Sequence, residues 1–505
     1  MTDIAQIRIR KLNHAFLHIQ TDIDIAMEIS EAFKFMVEGA KFSPAFKMGQ
    51  WDGYIRLFNL GSRQIASGLY SKVIEFADKH GFTYDVVDDS QKTGYEPPSY
   101  QTPGIDNDSV LEYMQSLNMH TKGVPITIRD YQIEGVTIML RDRQAIIKSS
   151  VGSGKSMILY CACRYITEVL GHRVLILVPT IGLTTQMRGD FADYASKTDW
   201  KVDDNMHLIS AGADHSVKKP ITVSTFQSLK NDTPEWFNDF GAIITDEGHG
   251  ITAKSFQDIY GKAIDVPFRI ACTGTLSDMK CNVLTMEGLT GPVYSIAETK
   301  DLIAAGQLVP MVVKSISLNY QPDVCKLMKN TMYEDELAWI TENDKRNNFI
   351  KKLAINCVGT TLVFFRFEEH GKMLFDMIKV AVGDTRPVYF INGGVKKEDR
   401  EFIRLAANDA DAIVVASYGT MKMGVNMPAV ANIIIGHPTK GGITFLQSLG
   451  RGLRLMKGKT KCSLFDIGDN LSHKTYVNHT YRHFGSRIEC LTREGYEFTL
   501  VNVAF

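Results

Sequence analysis

The chain has 505 residues, 44% hydrophobic and 22% charged, with a formal net charge of −1. At roughly 100–200 residues per domain, that length holds about three or four cores, and the composition is that of a globular protein rather than a disordered or fibrous one. The longest apolar runs stop well short of the ~18 residues a bilayer span needs, so no membrane segment is expected. A near-zero charge does not announce a polyanion partner, but a basic groove on an otherwise acidic surface is compatible with it. Eight cysteines, with no CxxC pair and no clustering with histidine, argue against a disulfide framework or a zinc site and for reduced thiols in a cytoplasm.

Residues 1–89 read as a small α+β domain. The first sixteen residues alternate polar and apolar positions and lack the apolar core of a secretory signal. Strand signals run near Ile7 to Ile19 and a helical pattern runs from Ile23 to Val37. A Trp51-Asp52-Gly53 turn then leads into a strand-like run from Tyr54 to Phe58. Phe42 and Phe46 are expected in its core, and Trp51 fits either a core position or an exposed turn. Residues 90–125 are dense in Pro, Gly, Ser, Thr and Asp and are expected to be a linker.

From 126 to 296, apolar β-rich runs alternate with helical patterns, as in a parallel sheet flanked by helices. A second series of the same kind fills 297–470. The remaining stretch, 471–505, reads as a C-terminal extension. It is mildly basic through Lys474, His479, Arg482, Arg487 and Arg493, with Glu489, Glu494 and Glu497 as a counterweight.

SSVGSGKS, Ser149 to Ser156, follows an apolar strand and opens a helical pattern. In that context the backbone amides of Gly152, Ser153 and Gly154 can wrap phosphate oxygens, and the helix N-terminus adds a favourable dipole. Lys155 is placed to reach the β- and γ-phosphates of ATP, and the Ser156 hydroxyl to hold Mg²⁺. Ser149 stands where the full pattern has glycine, and an ordinary Gly-rich turn is the competing reading. Thr245 to His249, TDEGH, ends the apolar run GAIIT. A carboxylate at the carboxyl end of a parallel strand faces the nucleotide crevice, where Asp246 can bind Mg²⁺ and Glu247 can take a proton from the attacking water. The competing reading is a capped strand end with solvated acids.

These two motifs come with others in a fixed order: RDYQ (Arg129 to Gln132), VPTIGLTTQ (Val178 to Gln186), STFQSL (Ser224 to Leu229), TGTL (Thr273 to Leu276) and QSLGRGLR (Gln447 to Arg454). Over 126–469 the set resembles the superfamily 2 helicases, and the WDG segment resembles that of the UvsW-type helicases of tailed phages, which act on branched DNA. Gly248 departs from the usual third letter of the acidic motif while leaving its acid pair intact.

The resemblance implies two tandem RecA-like parallel-sheet domains, 126–296 and 297–470, behind the small α+β domain. It implies ATP and Mg²⁺ as cofactors, with Arg129 and Gln132 as ATP-binding residues, Gln132 at the adenine through its carboxamide. His249 would couple γ-phosphate status to domain closure. Gln447, Arg451 and Arg454 fall in the last motif, where the two arginines, three apart on one helical face, would stabilise charge on the transferring phosphoryl group. Nucleic acid would be contacted mainly through phosphates, which position without reading sequence, by Thr180, Thr225, Arg366 and Lys422, with Trp51 as a stacking residue in the first domain.

The activity so implied is an ATP-dependent DNA helicase or branch-migrating translocase on forked or branched DNA, serving replication, recombination and repair. Protein partners are not indicated. The location is cytoplasmic, the host cytoplasm if the chain is phage-encoded. Alternatives are an RNA helicase, the motor subunit of a restriction system, and an ATP-switched DNA clamp or annealing protein with little turnover.

Overall fold

The computed structural model describes residues 5–505 except 38, 151, 211–212, 248–252, 275, 277–279, 423–426, 441–449, 451–452, 454 and 457. The chain divides into two compact units. One comprises 1–149 with 154–296, and the other 150–153 with 297–505.

The first unit begins with strands β1 (Ile7–Lys11) and β2 (Phe16–Thr21), helix α1 (Ile23–Ala32), and the short pair β3 (Lys34–Met36) and β4 (Tyr54–Arg56). Strands β5 (Phe58–Asn59) and β6 (Gln64–Ala66), helix α2 (Tyr70–His80) and strand β7 (Tyr84–Val87) complete the α+β domain. Its sheet has the order β5-β6-β2-β1-β7. Alternation along β1 buries Ile7, Ile9 and Lys11 and exposes Arg8 and Arg10. The buried face packs α1 and α2 through Ile25, Ile29, Val73 and Phe76.

The expected linker is ordered in part: α3 (Asn107–Ser116) starts on a capping box at Asp106 and sends Val110 and Met114 into the core of the following domain. Pro, Gly and Asp there punctuate a helix rather than prevent one. A two-strand ribbon, β8 (His120–Thr121) and β9 (Val124–Pro125), leads to α4 (Asp130–Asp142).

The next seven strands are β10 (Gln144–Ser149), β11 (Val174–Val178), β12 (Met206–Ile209), β13 (Ile221–Thr225), β14 (Ala242–Asp246), β15 (Phe268–Thr273) and β16 (Val293–Ala297). They form one sheet in the order β12-β13-β11-β14-β15-β10-β16, and neighbours from β12 to β10 run parallel. Ile147 and Ile176 belong to the hydrophobic cluster on one face, whereas Ile146 and Leu175 belong to the cluster on the other. Burial of both faces is why these strands read as unbroken apolar runs. Helices α5 (Lys155–Glu168) and α6 (Ile181–Tyr194) pack on the first face through Tyr160 and Phe191, whose rings meet edge-on 5.2 Å apart.

The second unit holds strands β17 (Met311–Asn319), β18 (Thr361–Phe365), β19 (Val388–Ile391), β20 (Ile413–Ser417), β21 (Asn432–Ile435), β22 (Cys462–Asn470) and β23 (Phe498–Ala504). The order is β19-β20-β18-β21-β22-β17-β23 and every pairing is parallel. The two parallel sheets are those expected of tandem RecA-like domains.

The C-terminal stretch is an integral part of that sheet rather than an appendage. Its strand β23 pairs with β17, and the helix His479–Arg493 begins on the buried Glu336 carboxylate, which accepts from the backbone N–H groups of His479 and Thr480 at 3.0 and 2.8 Å. A carboxylate at a helix N-terminus answers both the unpaired amides and the dipole. Arg487, one of the residues that make this stretch mildly basic, is fully buried and paired with Asp466 at 2.8 Å. All seven described cysteine side chains are free and buried, and no helix among the described residues is long and apolar enough to cross a membrane.

Candidate functional site

Three adjacent strands of the first parallel sheet carry the nucleotide motifs at their carboxyl ends. Strand β10 ends at Ser149 and runs into the phosphate loop, its neighbour β15 ends at Thr273, and β14 ends at Asp246. Such an edge is where open α/β sheets bind ligands.

Gly152 and Gly154 take φ values of +87° and +86°, the left-handed region that glycine enters without cost. Ser153 is fully buried in the turn, its N–H donating to the Ser150 carbonyl at 3.2 Å. Lys155 opens α5 and its Nζ donates to the Ser149 carbonyl at 3.1 Å, so the ammonium folds back over the loop where phosphate would lie. Ser149, in place of glycine, is fully buried and ends a regular strand, so the substitution is accommodated.

Gln132 is buried on the first turn of α4. Its Oε1 accepts from the Arg129 N–H at 3.1 Å, and its Nε2 lies against Gly154, 2.6 Å from where a Cβ would stand. Arg129 Nη1 donates to the Tyr131 hydroxyl at 2.9 Å. The residue assigned to adenine therefore adjoins the phosphate loop, with Arg129 bonded to it.

Asp246 and Glu247 meet the loop from the next-but-one strand. Burial and the neighbouring Glu247 carboxylate push the Asp246 carboxyl above its ordinary range, with Lys155 pulling the other way. The Glu247 N–H donates to Asp246 Oδ1 at 2.9 Å. Glu247 sits at φ +53°, a conformation that costs a non-glycine residue about 1–2 kcal/mol and that gathers at functional sites.

Two residues that sequence reading missed complete this pocket, both from α6. The Tyr194 hydroxyl lies near Ser156, with its ring 5.6 Å from that of Tyr160, one turn along α5. The charge of Asp190 reaches Asp246. The i, i+4 spacing of Asp190 and Tyr194 on the helix that follows VPTIGL was the available signal.

Ser156 and Asp246 offer one hydroxyl and one carboxylate, hard oxygen ligands of the type and number that Mg²⁺ uses when it shares itself with nucleotide phosphates.

The proposed nucleic-acid contacts fall into two groups. Thr180 and Thr225, from the ends of the neighbouring strands β11 and β13, line a single cleft of about 510 Å³ with Ser210, His215 and Gln227. Thr180 Oγ1 is buried there with no hydrogen-bond partner among the described residues. Arg366 lines a cleft of about 610 Å³ within the second unit, beside Phe367 and His370. His249, Gln447, Arg451, Arg454 and the side chain of Lys422 lie outside the described residues.

In the first domain the Trp51 indole N–H donates to the Tyr54 carbonyl at 2.8 Å, and Asp52 accepts from the Tyr54 N–H at 3.0 Å and from Arg56 at 2.7 Å. The WDG turn is thus the latch of the β3–β4 pair. Phe46 packs beneath Gly53, but Phe42, expected in the core, is 82% exposed. Met48 in the same segment is also exposed, and the exposed Lys41 and Lys47 are the chain neighbours of Phe42 and Met48. Phe42 ends the three-residue turn Ala40–Phe42, in which Ala40 is the buried residue.

Comparison with known proteins places this geometry among helicases. Residues 125–278 match the family of the type III restriction enzyme res subunit, and residues 6–88 match that of the N-terminal domain of the DNA helicase UvsW. The chain is 29% identical to "ATP-dependent DNA helicase uvsW" of Enterobacteria phage T4, over 97% of its own length and 98% of that protein. It is 31% identical to "DNA 3'-5' translocase XPB2" of Sulfurisphaera tokodaii, over 65% of itself and 79% of that protein. The crystal structure of T4 UvsW superposes with a TM-score of 0.53 at 26% identity, covering 99% of each chain.

Proposed function

We propose that this chain, which belongs to the superfamily 2 helicases on the side represented by phage T4 UvsW, is an ATP-dependent DNA helicase that remodels forked and branched DNA. The observation that carries the reading is the convergence of Lys155, the Asp246–Glu247 pair and Gln132 on one phosphate loop.

Lys155 and the loop amides hold the β- and γ-phosphates, and Gln132 with Arg129 holds adenine. Ser156 and Asp246 would hold Mg²⁺, which neutralises charge on those phosphates when bound. Glu247 orients the attacking water and takes its proton. Tyr194 fixes the Ser156 hydroxyl. In the same reading Arg451 and Arg454 stabilise charge on the departing phosphoryl group, and Gln447 and His249 relay its presence.

Thr180 and Thr225 bind DNA phosphates in their shared cleft. The knuckle of Phe42 and Met48 flanked by Lys41 and Lys47 pairs an apolar surface with positive charge, the combination that suits an unstacked base beside a phosphate. It takes the stacking role first considered for Trp51.

The test is steady-state ATP hydrolysis with duplex, forked and four-way DNA and with RNA, at one salt concentration. Greatest stimulation by branched DNA, accompanied by strand separation or branch migration, is the expected result. Stimulation by RNA alone would make the chain an RNA helicase, and binding of DNA with negligible turnover would make it a clamp.

A further inference from the structure

We propose that a cavity on the opposite edge of the first parallel sheet, between the N-terminal α+β domain and that sheet, is a binding site for a small phosphate-bearing anion. The cavity has a volume of about 360 Å³, within the roughly 300–1,000 Å³ of small-molecule pockets. Gln144, the first residue of β10, and Pro292, which precedes β16, line it. Five residue steps of β10, roughly 16 Å, separate it from the phosphate loop, so it is distinct from the ATP site.

Its central feature is Lys11. This lysine occupies the inward register of β1 that Ile7 and Ile9 occupy before it, and is 8% exposed. The outward arginines of the same strand both have carboxylate partners, Arg8 with Asp85 and Arg10 with Asp89. Lys11 has none within ion-pair distance among the described residues, and its side chain lines the cavity.

A buried charge left unpaired is costly. The cost is visible in its titration, since burial lowers the Lys11 amine to about 8 against the smaller pull of Glu96. Glu96 itself is committed to Arg143, at 2.9 Å. A bound anion would supply the missing counter-charge.

The rest of the lining fits a phosphate group. Arg143 adds positive charge to the lining, with its Nε and Nη1 held by Thr102 and Glu96 at 2.9 Å each and its guanidinium over the Tyr100 ring at 4.5 Å. Ser71 and Tyr100 add hydroxyls, and Tyr294 with Pro292 forms an apolar wall. A free phosphate uses only the cationic end, whereas a nucleoside monophosphate also covers the tyrosine and proline wall.

The experiment is calorimetric titration of the full-length protein with inorganic phosphate and, separately, dAMP, exchanged against chloride at constant ionic strength. The titrations are repeated in Lys155→Ala, which disables the ATP site. We expect binding that persists in Lys155→Ala and weakens at least tenfold in Lys11→Met. Lys11→Met should melt at or above the parent temperature without anion, because it removes an unpaired buried charge. Ser71→Ala, a milder change at the same cavity, should weaken binding severalfold and covers the case in which Lys11→Met fails to fold. Tighter binding of dAMP than phosphate assigns the apolar wall to an ester, and equal binding assigns the site to free phosphate. Affinity unchanged in both cavity variants, or lost only in Lys155→Ala, would overturn the proposal.

Discussion

Gln132 Nε2 occupies the space in which a side chain on Gly154 would begin, 2.6 Å from the position of its Cβ. The adenine-side glutamine and the phosphate loop are therefore fitted to each other, and the loop glycine is required twice, by that contact and by its φ of +86°.

Gly154→Ala should consequently weaken ATP binding by more than tenfold. A Cβ in the left-handed region costs about 1–2 kcal/mol, and a factor of ten corresponds to 1.4 kcal/mol, so the backbone alone approaches that effect before Gln132 is displaced. Titration with a fluorescent ATP analogue measures it. Pairing the change with Gln132→Ala relieves the clash but also removes the adenine contact, so affinity should stay well below that of the parent. Affinity within twofold of the parent in Gly154→Ala would show that the loop adopts another conformation when nucleotide binds.

Glu247 combines a catalytic assignment with a left-handed backbone, φ +53°, and two substitutions separate these properties. Glu247→Gln keeps the backbone cost and should bind ATP normally while hydrolysing it about 10²–10⁴-fold more slowly. Glu247→Gly should lose hydrolysis equally but gain about 1 kcal/mol of stability, because glycine adopts this φ freely. Thermal melting and single-turnover hydrolysis give the two readouts. A destabilised Glu247→Gly protein would mean that the glutamate side chain contributes more to the fold than its backbone costs.

Tyr194→Phe removes the hydroxyl that lies near Ser156 and leaves the aromatic packing on Tyr160 in place. One net hydrogen bond is worth about 0.5–1.5 kcal/mol, so the melting temperature should shift little. The Mg²⁺ concentration for half-maximal ATP hydrolysis should rise severalfold, because the Ser156 hydroxyl is no longer oriented. An unchanged Mg²⁺ dependence would reduce Tyr194 to a packing residue.

The first parallel sheet was legible in the sequence because both its faces are buried: Ile146 and Ile147 sit in different clusters, and such strands are continuous apolar runs. The phosphate loop and acid pair were legible because their chemistry is local. Asp190 and Tyr194 were not, since what makes them part of the site is the packing of α6 on α5, which no local spacing encodes. Phe42 was misread for a related reason: aromatic residues are usually core, but the three-residue turn Ala40–Phe42 buries Ala40 and leaves the ring outside. Lys11 was the reverse case, a charged residue in an apolar register of β1, visible as a break in the alternation but not interpretable without the cavity it faces.

The packing of the N-terminal domain bears on whether residues 1–89 act as a separable module. The His14 N–H donates to the Ile264 carbonyl at 2.9 Å, the Gln144 carboxamide donates back to the His14 carbonyl at 2.9 Å, and Lys72 pairs with Glu287 at 3.5 Å. Gly68 lies so close to the following domain that a Cβ would stand 1.9 Å from the Glu287 carbonyl oxygen. Deleting these residues uncovers that surface, so the truncated protein should melt several degrees lower; roughly 2–4 °C is expected for each kcal/mol lost in a domain of this size. It should also lose binding to forked DNA more than to plain duplex, since the Phe42 knuckle goes with it. Gly68→Ala separates the two effects. It disturbs the packing but keeps the knuckle, and should reproduce much of the drop in melting while retaining the preference for forked over duplex DNA. If Gly68→Ala lost that preference as completely as the truncation does, fork recognition would depend on how the domain is seated rather than on the side chains it exposes.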